Sequence, residues 1–464
     1  MEDSFVGRSR ELAYLNAAWS GERGALVPVY GRRRIGKSQL ILEFLRGKPG
    51  VYFAGQQSPA ALQLGEFLAA AATALGAPVL ASLAPRGWRE ALESVVAAHV
   101  GPGRLVIALD EFQWAVEASP ELPSVLQSLW DRSWQHSGRV MLVLCGSYVG
   151  FMEREVLGSK SPLFGRRSGQ IHLQPFSARE ARFFHPGWSL VEVARARFVC
   201  GGVPWYLRNF DPARSFTQNL RDTLLDEHAP LYREPEFLVR EELRDVHKYA
   251  AVLASLARGS ATPAELAARA GVPPQSVAYY LNTLTELGYV SRRVPLSGAP
   301  PSRRVVRWRI SDPLLRFWYR FVFPRHSTIR QLGADRALAE LVLPDLPAWE
   351  GVAFEDLCRE ALPLIYEEEG MKLGAEVGEY WDREVQVDVV AARGDGWIDL
   401  GECRWGATGS RAAVVDGLRA KLARVPNPRG ATVGLRVFAR EAIPEAQARA
   451  LGVRWHGLRA IYGE

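Results

Sequence analysis

The sequence predicts a multidomain α/β protein, and three observations carry that prediction. The chain has 464 residues, enough for two to four domains at about 150 residues each. Its hydrophobic fraction is 48% and its charged fraction 23%, so each domain can bury a core and wholesale disorder is excluded. From residue 26 to about residue 175, short Val/Ile/Leu runs alternate with helical patterns. That alternation is the signature of a parallel sheet covered by helices on both faces.

The strand-like runs come in the order ALVPVY (25–30), VYFAG (51–55), RLVIALD (104–110), RVMLVLCG (139–146) and QIHLQPF (170–176). Residues 177–240 read as wholly helical, broken at CGGVPWYL. From 241 to 324 come a helix, a short helix, a turn, another helix and a Pro/Gly-rich hairpin dense in Arg. Beyond PRHSTIRQLGAD the pattern becomes a helix (350–366), two strands (382–391 and 397–403), a helix (410–424) and a strand (432–438). The chain shows no internal repeat and no low-complexity tract.

Composition removes several classes. Cys145, Cys200, Cys358 and Cys403 form no CxxC pair, which excludes a disulfide scaffold and a multi-cysteine zinc site. The start, MEDSFVGRSREL, has no basic-then-apolar leader, and no apolar run approaches the roughly 18 residues of a membrane span. A cytoplasmic protein with no membrane partner is expected. Net charge is +6, but residues 240–325 alone carry 14 Lys/Arg against 6 Asp/Glu. Such local clustering is the footprint of a polyanionic partner, whereas the general Arg excess is equally explained by a biased genome.

GRRRIGKS (31–38) matches G-x-x-x-x-G-K-[ST], with the buried run ALVPVY before it and the helical run SQLILEFL after it. That context turns a weak motif into a phosphate loop. Gly31 and Gly36 let the backbone fold its N–H groups around phosphates at a helix N-terminus. Arg32, Arg33, Arg34, Ile35 and Gln39 complete the cradle; Lys37 reaches the β/γ-phosphates and Ser38 ligates Mg²⁺, so ATP and Mg²⁺ are the expected cofactors. The run RLVIALDEFQWA ends in Asp110 and Glu111, and adjacent acids closing a buried strand repel unless a cation is near. Asp110 is expected to orient Mg²⁺ through water and Glu111 to polarise the attacking water. The next strand ends in Gly146–Ser147, placing Ser147 either as a γ-phosphate sensor or as a helix N-cap.

FVGRSREL (5–12), the GRRRIGKS loop, ALDEFQW, CGSYVGFME (145–153), PLFGRRSGQIHLQPFS (162–177) and CGGVPWYL (200–207) together resemble the archaeal-type ATPase family. That family belongs to the AAA+/STAND branch of P-loop ATPases. The resemblance implies that Phe5, Val6 and Gly7 line the adenine pocket with Arg8 as buttress. It implies that Pro204 belongs to a helical-lid turn approaching the nucleotide. It also places Arg166 or Arg167 where a finger or sensor arginine sits, acting within the chain or from a second copy, so a homo-oligomer is a candidate assembly. The plain alternative for that Arg pair is a surface salt bridge.

TPAELAARAGVPPQSVAYYLNTLTELGYVSRR (262–293) has helix-turn-helix periodicity, with Gly271 at the turn. The following strand and hairpin carry Arg292, Arg293, Arg303, Arg304, Arg307 and Arg309, with no acid from 289 to 311. The segment resembles a winged helix with recognition helix 274–287, exposing Gln275, Tyr279, Asn282 and Thr283. With the wing arginines, DNA is the expected partner, through phosphate contacts that position rather than specify. The alternative is a winged helix that packs against neighbouring domains. ISDPLLRFWYRFVFP (310–324) is too aromatic for a solvated linker and reads as an interdomain packing element.

In WDREVQVDVVAARGDGWIDLGECRW (381–405), Asp388 ends an alternating strand and the next strand carries Glu402 and Arg404. Period two puts Glu402 and Arg404 on one face and Cys403 on the other. The spacing resembles the PD-(D/E)xK nuclease fold, with Glu355 as the upstream helical acid. In active members two carboxylates hold Mg²⁺, here Asp388 and Glu402, and a lysine positions the attacking water. Arg404 stands where that lysine belongs, and a guanidinium neither deprotonates at usable pH nor has the same shape. The domain is therefore either a nuclease or a repurposed scaffold or clamp.

The expected organisation is a P-loop ATPase core with parallel sheet (1–176), a helical lid (177–240), a winged helix-turn-helix (241–325) and a restriction-endonuclease-like α/β domain (326–464). The expected function is Mg²⁺-dependent ATP hydrolysis on or with DNA. The alternative is a STAND-like regulatory switch controlling protein assembly without DNA processing.

Overall fold

The structure, a computed structural model, describes residues 5–101, 103–296, 305–371, 374–427 and 430–464. The chain divides into two compact units, Met1–Pro175 and Phe176–Glu464.

In the first unit, strands β1 (Ala25–Tyr30), β2 (Gly50–Ala54), β3 (Leu105–Asp110), β4 (Val140–Gly146) and β5 (Ile171–His172) form one sheet. All neighbours are parallel, in the order β2-β3-β4-β1-β5. Every residue of β1, β3 and β4 is buried, which explains why these strands read as continuous apolar runs rather than alternations. Period two still divides them between two cores. Leu26, Ile107 and Leu142 pack with Phe67 and Trp88 on one face, while Val29, Val106 and Val143 pack with Leu15, Ile41 and Phe44 on the other. The strand expected over 170–176 pairs only at Ile171 and His172, with one further bond from Leu173 N to the Tyr30 carbonyl. Pro175 has no N–H with which to continue the ladder.

The second unit begins with short helices over Ala178–Ala181, Leu190–Cys200, Pro204–Arg208, Phe216–Leu220 and Glu234–Glu242. Three of these start at capping boxes, Ser177/Glu180, Ser189/Glu192 and Ser215/Gln218, which satisfy helix donors that have no intrahelical partner. Helices Val246–Leu256, Pro263–Ala270 and Pro274–Glu286 follow. Gly271 makes the turn between the last two at φ 64°, a conformation that favours glycine. β6 (Val290–Arg293) and β7 (Arg307–Ile310) form the antiparallel wing. A single apolar core runs from Phe176 to Leu346. The aromatic segment after β7 is its centre, with Leu314, Phe317, Trp318 and Phe321 buried, as packing rather than linker residues.

The long helix Leu346–Glu368 leads to a second sheet: β8 (Ala375–Trp381), β9 (Gln386–Arg393), β10 (Trp397–Arg404), β11 (Thr432–Ala439) and β12 (Arg454–His456). Its order is β12-β11-β10-β9-β8. The β8-β9-β10 pairs are antiparallel and the β10-β11-β12 pairs parallel. Helix Arg411–Leu422 supplies the crossover that parallel β10 and β11 require. The core under this sheet also takes in Val193, Ala194 and Phe198 of the earlier helix Leu190–Cys200. No helix among the described residues is long and apolar enough to cross a membrane.

Candidate functional site

The loop from Gly31 to Gly36 joins β1 to the helix Lys37–Leu45. A Cβ on Gly31 would collide with the Leu173 carbonyl, and Gly36 takes φ 85°, so both positions favour glycine for physical reasons. Ile35 is fully buried and anchors the loop in the core beneath it. Lys37 is only 6% exposed; burial pulls its pKa down while the nearby Asp110 and Glu111 charges oppose the shift. Its ammonium donates to the Arg32 carbonyl at 2.9 Å. Arg33 and Arg34 are part of the same loop, and Gln39 is half-buried in the first turn of the helix.

The neighbouring strands bring the remaining groups to this loop. Ser38 Oγ donates to Asp110 Oδ2 at 2.5 Å, and Tyr52, in the middle of β2, donates to the same oxygen at 2.6 Å. The Glu111 backbone N–H is held by Asp110 Oδ1 at 2.8 Å. Glu111 Oε2 accepts from Ser147 Oγ at 2.8 Å and from Gln113 Nε2 at 2.5 Å. Ser147 is not the cap residue of the helical turn that follows. The next helical turn begins at Val149 with Tyr148 as its cap residue. Burial pushes the Cys145 thiol beneath these acids upward, so it is a neutral floor. Tyr52 and Gln113 were not legible as site residues, because nothing local in their sequence marks a partner on another element.

Arg8, Arg34 and Glu111 are the non-glycine residues with positive φ among those described, at 59°, 68° and 45°. All three lie in the motifs of this site. Such conformations persist only where the surroundings over-determine them. Arg8 is an example: its guanidinium donates to the Ile35 carbonyl at 3.1 Å, tying the N-terminal box to the phosphate loop. Phe5 packs on the core that holds Ile35, Val6 is half-buried and Gly7 exposed. Arg166 is committed elsewhere. It forms a bidentate pair with Asp131, both bonds 2.8 Å, which is the salt-bridge role rather than a guanidinium available to phosphate. In the second unit, Pro204 opens the helix Pro204–Arg208, after Gly202, whose carbonyl accepts from Phe176 N at 2.7 Å.

The winged helix divides the predicted DNA contacts. Gln275, Tyr279, Asn282 and Arg292 are exposed and Thr283 is half-buried. Arg293 and Arg307 correct the expectation, because both turn inward. Arg293 Nε donates to Glu379 Oε1 at 2.7 Å, and the Arg307 guanidinium lies over the Trp381 ring, 5.3 Å from its centroid. Carboxylate and indole partners from β8 outcompete solvent for these two side chains. Arg303 and Arg304 lie outside the described residues.

At the C-terminal acids, Asp388 and Glu402 flank the paired Val389 and Gly401 of β9 and β10. Asp388 Oδ2 accepts from Cys403 N at 2.9 Å. Glu402 takes two cations, Arg404 at 2.8 Å and Lys421 at 2.7 Å. Burial raises the Asp388 pKa, with the Glu402 charge adding to it. Burial and the Asp388 charge raise Glu355 in the same way. Lys421 is the unforeseen member: the ammonium missing at position 404 arrives from helix Arg411–Leu422. The rarity of Lys in this Arg-rich chain was the available signal. Among the described residues no three carboxylate, imidazole or thiol groups gather as a metal cage.

Residues 5–210 match the family model described as an ATPase domain predominantly from Archaea. Residues 247–298 match the MarR family, and 318–414 match a family of archaeal and bacterial proteins of unknown function. An uncharacterized protein of Methanocaldococcus jannaschii is 24% identical over 388 residues, 83% of this chain and 84% of its own length. An uncharacterized ATP-binding protein of the same organism is 46% identical over 44 residues, 10% of this chain and 75% of its own. The Walker-type ATPase of Pyrococcus abyssi shares the fold, with a TM-score of 0.52 at 18% identity, covering 69% of this chain and 97% of that one. The chain thus carries an archaeal-type ATPase domain on a P-loop α/β core, followed by a MarR-like winged helix.

Proposed function

We propose that the protein is a Mg²⁺-dependent ATPase that acts on or with DNA. One observation carries the reading: Ser38 Oγ and Asp110 Oδ2 meet at 2.5 Å beside the buried Lys37. A hydroxyl and a carboxylate placed together at a phosphate loop form the oxygen donor set that Mg²⁺ prefers. Ser38 would hold the ion directly and Asp110 through water, and the bound ion supplies charge neutralisation on the phosphates. Lys37 binds the β/γ-phosphates. Glu111, with one oxygen held by Ser147 and Gln113, is fixed in orientation and polarises the attacking water. Phe5, Val6 and Gly7 are assigned to the base, buttressed by Arg8.

The DNA assignment rests on the exposed face of helix Pro274–Glu286, with Gln275 and Tyr279, and on the exposed Arg292 of the wing. The C-terminal domain is assigned as a nuclease-like scaffold in which Glu402 is neutralised by Arg404 and Lys421. The inward turn of Arg293 and Arg307 favours a second reading, a nucleotide-driven switch of protein assembly in which the winged helix packs rather than reads. ATP hydrolysis measured with and without duplex and single-stranded DNA separates the two. Stimulation by DNA is expected, and its absence, with no DNA bound at low salt, favours the switch.

A further inference from the structure

The second unit contains a cavity of about 460 Å³, bounded by the wing, the aromatic segment and the start of helix Leu346–Glu368 and β8. Its volume falls within the range of small-ligand sites. Six arginines line it, at 258, 293, 307, 309, 316 and 320, against three acids, Asp345, Glu355 and Glu379. The cations are under-neutralised in detail as well as in number. Arg309, 9% exposed, and Arg316 share one oxygen of Asp356, whose other oxygen accepts from Arg359 at 2.7 Å. The cavity is half open, with Arg258 and Arg320 exposed at its rim, but gathering the less exposed Arg293, Arg307, Arg309 and Arg316 on one wall is unfavourable unless an anion joins them.

A second, independent observation points the same way. Trp381 is only 6% exposed, yet among the described residues its indole N–H has no hydrogen-bond partner, and neither do the Trp349 indole N–H and Arg316 Nε. All three residues line the cavity. All three orphaned atoms are buried donors in the wall of the cavity, and none of the orphaned acceptors belongs to a lining residue. The Arg307 guanidinium faces the Trp381 ring and that of Arg316 faces Trp349, at 5.3 and 5.4 Å. Cationic forks beside flat rings suit a phosphate on one side and an aromatic base on the other.

We propose that this cavity binds a nucleoside monophosphate unit, either free or as the 5′-phosphorylated end of a nucleic-acid strand. The proposal stands apart from the ATP-site assignment, since the two sites share no residue. The test titrates the full-length protein with AMP and, in a separate arm, with a 5′-phosphorylated dinucleotide and its unphosphorylated counterpart. Wild type and Lys37→Ala are expected to bind the same probe equally, and Arg307→Gln to bind it at least tenfold more weakly. AMP binding identifies the free nucleotide as ligand; binding confined to the phosphorylated dinucleotide identifies the strand end. Trp381→Phe keeps an aromatic side chain but removes the indole N–H and part of the ring face under Arg307, so a several-fold loss is expected there without dependence on how well Arg307→Gln folds. No binding by either probe, binding lost in Lys37→Ala alone, or binding unchanged in both cavity variants overturns the proposal.

Discussion

Ser38 Oγ lies 2.5 Å from Asp110 Oδ2 although 72 residues separate them and β4 stands between β3, which ends in Asp110, and β1, which leads into the helix of Ser38. The contact is made because β1 and β3 run parallel to β4 and end at the same edge of the sheet. In open α/β sheets that edge is where ligands bind.

Lys37→Ala is expected to lose Mg-ATP binding, and Glu111→Gln to keep binding while turnover falls about 10²- to 10⁴-fold, the usual contribution of a positioned base. Calorimetry and phosphate release distinguish the two. Normal hydrolysis by either variant would sink the assignment.

Tyr52→Phe removes one of the two hydroxyls on Asp110 Oδ2 without altering the ring. The expected result is a half-saturating Mg²⁺ concentration raised about tenfold, the typical cost of losing an outer-shell partner, with metal-free nucleotide binding unchanged. An unaltered Mg²⁺ dependence would show that Tyr52 is packing only.

The strands of the first sheet and the motifs at their ends were legible because each is local: a continuous apolar run, then Gly31 to Ser38 or Asp110–Glu111. What escaped the sequence is long-range. Arg104 donates to the carbonyls of Ala18, Gly21, Arg23 and Gly138, pinning the end of the first helix, yet its neighbours in the chain reveal nothing of this. β8 escaped because its only wholly buried residues are Tyr380 and Trp381 at one end. The wing misled for the same reason: an acid-free run of arginines predicts a polyanion, but Asp356 and Glu379, which receive Arg309 and Arg293, lie far along the sequence.

On the wing, Arg292→Ala with Tyr279→Ala is expected to weaken duplex binding across sequences and to flatten its log-salt slope by about one. Arg293→Ala is expected to act through stability, because it leaves the half-buried Glu379 short of a partner. Salt-titrated fluorescence anisotropy and thermal melting separate the effects. A DNA-binding loss confined to Arg293→Ala would reverse the assignment of these neighbours.

Burial works to raise the Glu369 pKa, but Arg436 bonds both its oxygens at 2.8 Å, and with Arg454 adding its charge the pKa comes down to about 2. A carboxyl that titrates lower folded than unfolded stabilises the fold above the unfolded value of roughly 4.3. That contribution is lost as pH falls from about 4.5 towards 2. Glu369→Gln should therefore melt earlier at pH 7, by about 1–3 kcal/mol for a lost charged bond, and lose less on acidification. Parallel melting curves for the two proteins between pH 7 and pH 3 would contradict this.

The C-terminal acids are expected to be inert towards DNA. Two carboxylates on adjacent strands repel unless a cation lies between them, and here Glu402 is already satisfied from both sides by Arg404 and Lys421. Asp388 is held by the Cys403 amide and lifted by burial, which disfavours the charged form that a metal needs. Because Lys421 already places an ammonium on Glu402, Arg404→Lys is expected to bring no cleavage of plasmid or linear DNA with Mg²⁺ or Mn²⁺. Lys421→Ala leaves Glu402 with one cation instead of two and should lower thermal stability by about 1 kcal/mol or more. Metal-dependent cleavage by the wild type, abolished by Asp388→Ala and by Lys421→Ala, would instead make Lys421 the catalytic lysine and the domain a working nuclease.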